Sequence, residues 1–139
     1  MKKILIPLAN PIKPDVLIPK LSVISERGDK IVLFHVLEAP ETASLDTLEF
    51  KDEIAEAEKW LKKMKEELGQ RGIDASFKVA LSRNIPDAIV SEAQEGEYDI
   101  ILMLKRRRTG VKSIFKKSIS ETVSRRVEKP VVTYLVEKT

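Results

Sequence analysis

Residues 103 to 120 read MLKRRRTGVKSIFKKSIS, and this stretch concentrates most of the chain's potential for chemistry. Lys105, Arg106, Arg107, Arg108, Lys112, Lys116 and Lys117 crowd into it around a single glycine, Gly110. Guanidinium and ammonium groups are strong donors to phosphate and carboxylate oxygens. The run leaves an apolar stretch that reads as the end of a strand and arrives at Ser118, which reads as the start of a helix. Free N–H groups at such a start favour an anion. Three readings follow. The run is a solvated loop, whose exposed charges contribute little to stability. Or Lys116, Lys117 and the helix start at Ser118 form an anion site. Or the whole segment faces nucleic acid, the least favoured reading, because no recognition motif and no interleaved aromatic platform accompanies the charge.

Other reactive residue types are sparse. His35 is the sole histidine. It lies inside an apolar run, where a hydrogen-bonded core or strand-end role is expected rather than catalysis. Spacing specifies no serine or acid partner for it, so a triad has no support. Asp99 precedes a strand, at the wrong end of a sheet for chemistry, and reads as a cap or turn residue. Trp60 reads as packing or a dimer contact. Glu53, Glu56, Glu58, Glu66 and Glu67 interleave with lysines as a solvated helix face. There is no cysteine, hence no disulfide, thiolate nucleophile or cysteine-based metal site. No His/Asp/Glu cluster has metal-ligand spacing. The expectation is a protein that is not an enzyme and needs neither metal nor cofactor.

These residues must be positioned by the elements around them. Residues 3–8 (KILIPL), 31–36 (IVLFHV), 100–104 (IILML) and 131–136 (VVTYLV) are apolar, β-branched runs of the kind buried on both faces of a parallel sheet. Residues 76–81 (SFKVAL) alternate and predict an edge strand. Ile54, Ala57, Leu61, Met64 and Leu68 mark an amphipathic helix that ends near Gly69 and Gly72. Asn84 caps a predicted helix beginning near Pro86 and ending near Gly96. Ser118-x-x-Glu121 has the form of a capping box, followed by Ile119, Val123 and Val127 on one face. Pro14 and Pro19 interrupt the first helix, which is expected to start late or break in two. Residues 38–47 are expected to form a mobile loop. Strands alternating with helices predict a parallel sheet covered on both faces, within one domain spanning 1–139.

With 139 residues, the chain can bury a sizeable core without staples. No run approaches the roughly 18 apolar residues of a membrane span, so a soluble, cytoplasmic protein with no membrane partner is expected. The net charge of +3 conceals an asymmetry. Residues 103–126 hold nine basic residues against one acid, and the rest of the chain is net acidic.

Set against the universal stress protein family, the chain resembles it nearly end to end. ILIPLANP is similar to the family's first strand, which ends in Pro-Val-Asp-Gly-Ser. IVLFHVLEAP resembles its second strand with the Leu-His-Val signature, and EYDIILM resembles the Ala-Asp-Leu-Ile-Val-Met before its glycine loop. SISETVSRRVEKPVVTYLV resembles the Gly-Ser-Val-Ser helix followed by Pro-Val-Leu-Val-Val. The register runs without a gap from Met103 to Val136. The resemblance implies a single Rossmann-like α/β domain, related to the adenine nucleotide alpha hydrolases, with a five-stranded parallel sheet of order 3-2-1-4-5. It also implies a homodimer formed by pairing the last strands, here Val131, Val132, Thr133, Tyr134, Leu135 and Val136.

The family divides into members that bind ATP and members that do not. Carried over residue by residue, the binders' aspartate after the first strand is Ala9, and the glycine beside it is Asn10. Their loop glycines fall at Leu104, Arg107 and Lys117, and the glycine after the third strand is Arg83. Pro7, Val36, Met103 and Ser118 match, and Ile119 follows Ser118 at the helix start. Glycine lets backbone N–H groups approach phosphate closely, whereas Arg107 and Lys117 add bulk there. Hydrogen bonds to charged groups contribute about 1.5–3 kcal/mol each, and about 1.4 kcal/mol is tenfold in affinity. Losing two or three takes a micromolar binder out of the useful range. The expectation is a regulatory or protective binding protein, acting on an unknown protein partner, that does not bind ATP in the family's usual manner. The alternative is a nucleotide or other phosphate ligand held by side chains of the basic loop at 105–118.

Overall fold

The computed structural model describes residues 1–106, 115 and 117–136, with only the backbone described at Arg106 and Lys117. Among the described residues five strands and four helices alternate: β1 (Lys3–Pro7), α1 (Pro14–Ile24), β2 (Lys30–Glu38), α2 (Lys51–Gly69), β3 (Asp74–Ser82), α3 (Ile85–Glu95), β4 (Ile100–Arg106), α4 (Lys117–Arg126) and β5 (Val131–Val136). All the strand pairings are parallel, and the order is β3-β2-β1-β4-β5. The sheet order and the edge position of β3 match the sequence expectation.

Side chains alternate across the central strands, as a pleated backbone requires. Ile4, Ile6, Ile31, Leu33, Leu102 and Leu104 point to one face, where Leu17 and Leu21 of α1 and Leu61, Met64 and Leu68 of α2 cover them. Leu5, Val32, Phe34, Ile101 and Met103 point to the other, beneath Ile89 and Ala93 of α3 and Val123 of α4. A strand buried on both faces has no polar positions to spare, which is why the sequence reads as continuous apolar runs.

Two departures from the sequence reading have clear causes. Helix α1 neither starts late nor breaks: Pro14 occupies its first turn, and Pro19 lies within an unbroken helix. Pro19 is the sixth of eleven residues; it removes one backbone hydrogen bond, to the Asp15 carbonyl, and the helix continues past it to Ile24. Helix α4 begins at Lys117, so Ser118 sits inside its first turn rather than ahead of it as a cap. Glu121 does not close a capping box on Ser118; its carboxylate lies 3.5 Å from the Lys105 ammonium. By contrast Asn84 caps α3 as its position implies, its side-chain oxygen accepting from the Asp87 N–H at 2.9 Å.

The amino ends of the strands are tied together by side chains. Asp29 accepts from the Lys2 N–H at 2.8 Å and from the Glu26 N–H at 2.8 Å, and it pairs with the Lys2 ammonium at 3.2 Å. Asp99, in the turn role expected of it, accepts from the Lys3 N–H at 2.8 Å, and its own N–H donates to the Lys3 carbonyl. Tyr98 is fully buried; its hydroxyl donates to Glu92 at 2.6 Å, and the Lys3 ammonium lies 4.6 Å from its ring centre. Burial first, then the Glu92 contact, raises the Tyr98 hydroxyl far above its ordinary pKa.

Two measurements test this account. A Cβ at Gly96 would collide with the Tyr98 ring and lie 2.8 Å from the Glu92 carbonyl. Gly96→Ala should therefore destabilise by about 1–3 kcal/mol, read as a lower urea midpoint with unchanged slope. The hydrogen bonds from Lys2 and Glu26 N–H hold the Asp29 carboxyl at about 2, below its ordinary 3.8, against an opposing effect of burial. Its folded pKa is depressed, so its contribution is complete above about pH 4 and vanishes as pH falls through 2. Asp29→Asn should flatten the loss of stability across that window in acid titration followed by circular dichroism.

Candidate functional site

In open parallel sheets the ligand crevice lies beyond the carboxyl ends of the strands, where strand order reverses. Here the reversal falls between β1 and β4. The Leu8 N–H donates to the Phe34 carbonyl on β2 at 2.8 Å. Alternation then turns the backbone of Pro7 toward β4, and proline has no N–H to offer. The β1–β4 register accordingly contains only Ile4↔Ile100 and Leu5↔Ile101, although β1 runs on to Pro7 and β4 to Arg106. The ladder between the two central strands therefore stops two residues before β1 does.

The residues singled out from the sequence divide between the two faces of the sheet. Ala9 and Ile119 are half-buried and pack against the core that holds Val36 and Met103, on the α3/α4 side. Leu104 is buried in the opposite core, beside Leu102, so its side chain is turned away from that group. Pro7 is buried at the end of β1, and Ser118 is exposed. Lys117 opens α4, and Arg107 lies outside the described residues, as do Arg108, Lys112 and Lys116. Of the described cations in this segment, Lys105 reaches Glu121, and the Arg126 guanidinium donates to Asp87 on α3 at 2.6 Å. Lys105, Glu121 and Arg125, with Ser120, Ser124 and Thr133, line a shallow cavity of about 290 Å³ between α4 and the sheet edge.

Arg83 has a role that its position alone does not reveal. It follows β3, and its guanidinium donates to the carbonyls of Pro40 at 2.8 Å and Glu41 at 3.3 Å. The Ala39 N–H meanwhile donates to the Ser82 carbonyl at 2.8 Å. Together these bonds tie the start of the long β2–α2 connection to the end of β3, in part of the segment where the sequence suggested mobility. The local signal was an arginine directly after a strand; its targets, backbone carbonyls more than 40 residues away, left none.

His35 takes the structural role expected of it. It is 9% exposed, on the α1/α2 side of β2. Its Nδ1 lies 2.8 Å from the Leu8 carbonyl, which can only accept, so the proton is on Nδ1. Burial lowers its pKa below the ordinary value, partly offset by that hydrogen bond. Trp60 of α2 meets the imidazole edge-on, with ring centres 5.0 Å apart. Among the described residues, no group of three or more His, Asp or Glu is placed to hold a metal ion. None of their helices is long and apolar enough to cross a membrane.

Comparison with known proteins places this geometry among relatives. The fold is similar to that of hypothetical protein MJ0577, whose biochemical function was assigned from its structure, with a TM-score of 0.73 at 23% identity over 99% of this chain and 98% of that one. It is similar to a universal stress protein from Archaeoglobus fulgidus in complex with dAMP, with a TM-score of 0.65 at 17% identity over 96% and 97% of the two chains. An Arabidopsis thaliana universal stress protein family protein with AMP bound gives a TM-score of 0.67 at 17% identity over 97% and 92%. No curated protein matches the chain. The model of the universal stress protein family matches residues 1–134, and with the sheet order and switch point described above, the chain belongs to that family.

Proposed function

We propose that this chain is a cytoplasmic regulatory or protective protein that acts by binding rather than catalysis, and that it does not hold ATP in the family's usual manner. The observation that carries this reading is the Arg83 guanidinium, which closes on the Pro40 and Glu41 carbonyls where the family resemblance puts the base. Ala9 supports it, since no carboxylate stands after β1 to meet a ribose or a metal. So does Leu104, a glycine in the binders, whose side chain here is part of the core. His35 is fastened through Nδ1 to a backbone carbonyl rather than to a carboxylate. Its working partners are a second copy of the chain and a protein of unidentified kind.

A second reading has support of its own. Two structural relatives carry AMP or dAMP, and here the β1–β4 register ends at Leu5↔Ile101, short of the ends of both strands. On this reading a nucleotide or other phosphate ligand is held by the basic segment and the start of α4. Nucleic acid is weaker still, because Lys105 and Arg126 are already engaged by carboxylates.

Chromatography of the small molecules released on denaturation, followed by calorimetric titration of the stripped protein with Mg-ATP, separates these readings. We expect no nucleotide and no heat of binding. ATP recovered in near-stoichiometric yield would overturn the proposal and establish the second reading. β5 has β4 as its one neighbour in the described sheet, and its other edge is the one through which two copies would pair. Light scattering at micromolar concentration should give twice the chain mass, and a clean monomer would remove this interface.

A further inference from the structure

The cavity that the family resemblance does not touch lies on the other face of the sheet, between the β1–α1 connection and α2. It measures about 440 Å³, within the range of small-molecule sites. Its floor is apolar: Ile12 and Met64 belong to the buried core, and half-buried Trp60 packs against it. Pro11 and Pro14 form one wall, and their fixed φ makes that wall rigid before anything binds. Lys13 and Lys63 stand exposed at the rim from opposite sides, one on the connection and one on α2.

The charges at this rim are unbalanced. Glu67 is the only acid lining the cavity, one helical turn beyond Lys63. Lysine ahead of glutamate is the less favourable order at that spacing, and among the described residues no ion pair joins either lysine to a carboxylate. On the far side of Trp60 lies a second cavity, lined by His35, Asp52, Glu53 and Glu56. Trp60 thus divides an acidic hollow from one with two free ammonium groups. A negatively charged guest is drawn to the second and repelled from the first.

We propose that the cleft between the β1–α1 connection and α2 binds a small amphipathic anion, a carboxylate on a short apolar chain. The chain lies on Trp60, Ile12 and Met64, and the carboxylate meets Lys13 and Lys63. A bare phosphate would leave the apolar floor uncovered, and a neutral guest would leave both ammonium groups unmatched. This site lies on the α1/α2 face, whereas Ala9, Val36 and Met103 lie on the α3/α4 face. Its lining includes none of the residues that the resemblance assigns to ATP, so its test does not depend on ATP binding.

Trp60 is the only tryptophan in the chain, so its fluorescence reports this cleft without labelling. Octanoate, 1-octanol and octylammonium, titrated into the intact protein, carry one apolar chain with three different charges. Octanoate should give a saturable shift, with the other two weaker by about tenfold or more. Lys13→Glu with Lys63→Glu should weaken octanoate by a similar factor, whereas Lys13→Arg with Lys63→Arg should retain it. Glu56→Gln, across Trp60, should leave it unchanged. Octanol binding as tightly as octanoate, octylammonium binding tightest, or an unaltered affinity in the charge-reversed variant would each overturn the proposal. So would a fluorescence change that follows protein concentration instead of octanoate, which would make the occupant a second copy of the chain.

Discussion

The rest of the molecule depends on the requirement that β1, only five residues long, be buried on both faces at once. Ile4 and Ile6 enter the core under α1 and α2, and Leu5 enters the core under α3 and α4. A slip of one residue would exchange the two sets and break both cores together, since side chains alternate with a period of two. Register is therefore over-determined. The backbone bonds from Lys2 and Lys3 to Asp29 and Asp99 add a polar lock at the point where the strand begins. Once β1 is placed, β2 and β4 have positions on either side of it, and the four helices have two faces to cover.

Much of this was legible from residue types. The apolar runs announced strands buried on both sides, and the alternation in residues 76–81 marked an edge. Asn84 announced a helix start because its side chain can accept an N–H that would otherwise be orphaned. What was not legible involved geometry between distant segments. Pro19 looked like a break because local sequence does not show that burial of Leu17 and Leu21 on either side of it holds the helix against the sheet. Ser118 and Glu121 had the spacing of a capping box, yet Glu121 stands against Lys105 from a neighbouring strand. The helix opens at Lys117, ahead of where that pattern would put it.

The candidate site shows the same division. That the motif positions at Ala9, Leu104 and Arg83 depart from the binders' pattern was readable from the chain alone. That Leu104 faces the opposite core from Met103 follows from strand alternation. That Arg83 reaches the Pro40 and Glu41 carbonyls could not be foreseen, because it depends on how the β2–α2 connection folds back. Nor did any spacing rule bring Lys13 and Lys63 to one cleft. They meet because α1 and α2 share a face of the sheet.

The missing amide of Pro7 separates the two ends of the sheet in a way that bears on how such a protein can evolve. The hydrogen bonds to buried Asp29 and exposed Asp99 gather where the strands begin. At the other end the ladder between the two central strands stops at Leu5↔Ile101, and the bonds described there, from Arg83 and Ala39, join β3 to the β2–α2 connection instead. At an exposed position there, such as Ser118, substitution costs folding little, and selection on a ligand motif can relax without the chain losing its structure. A scaffold fastened at one end can discard an inherited specificity at the other and acquire a new one, with no unstable intermediate between them.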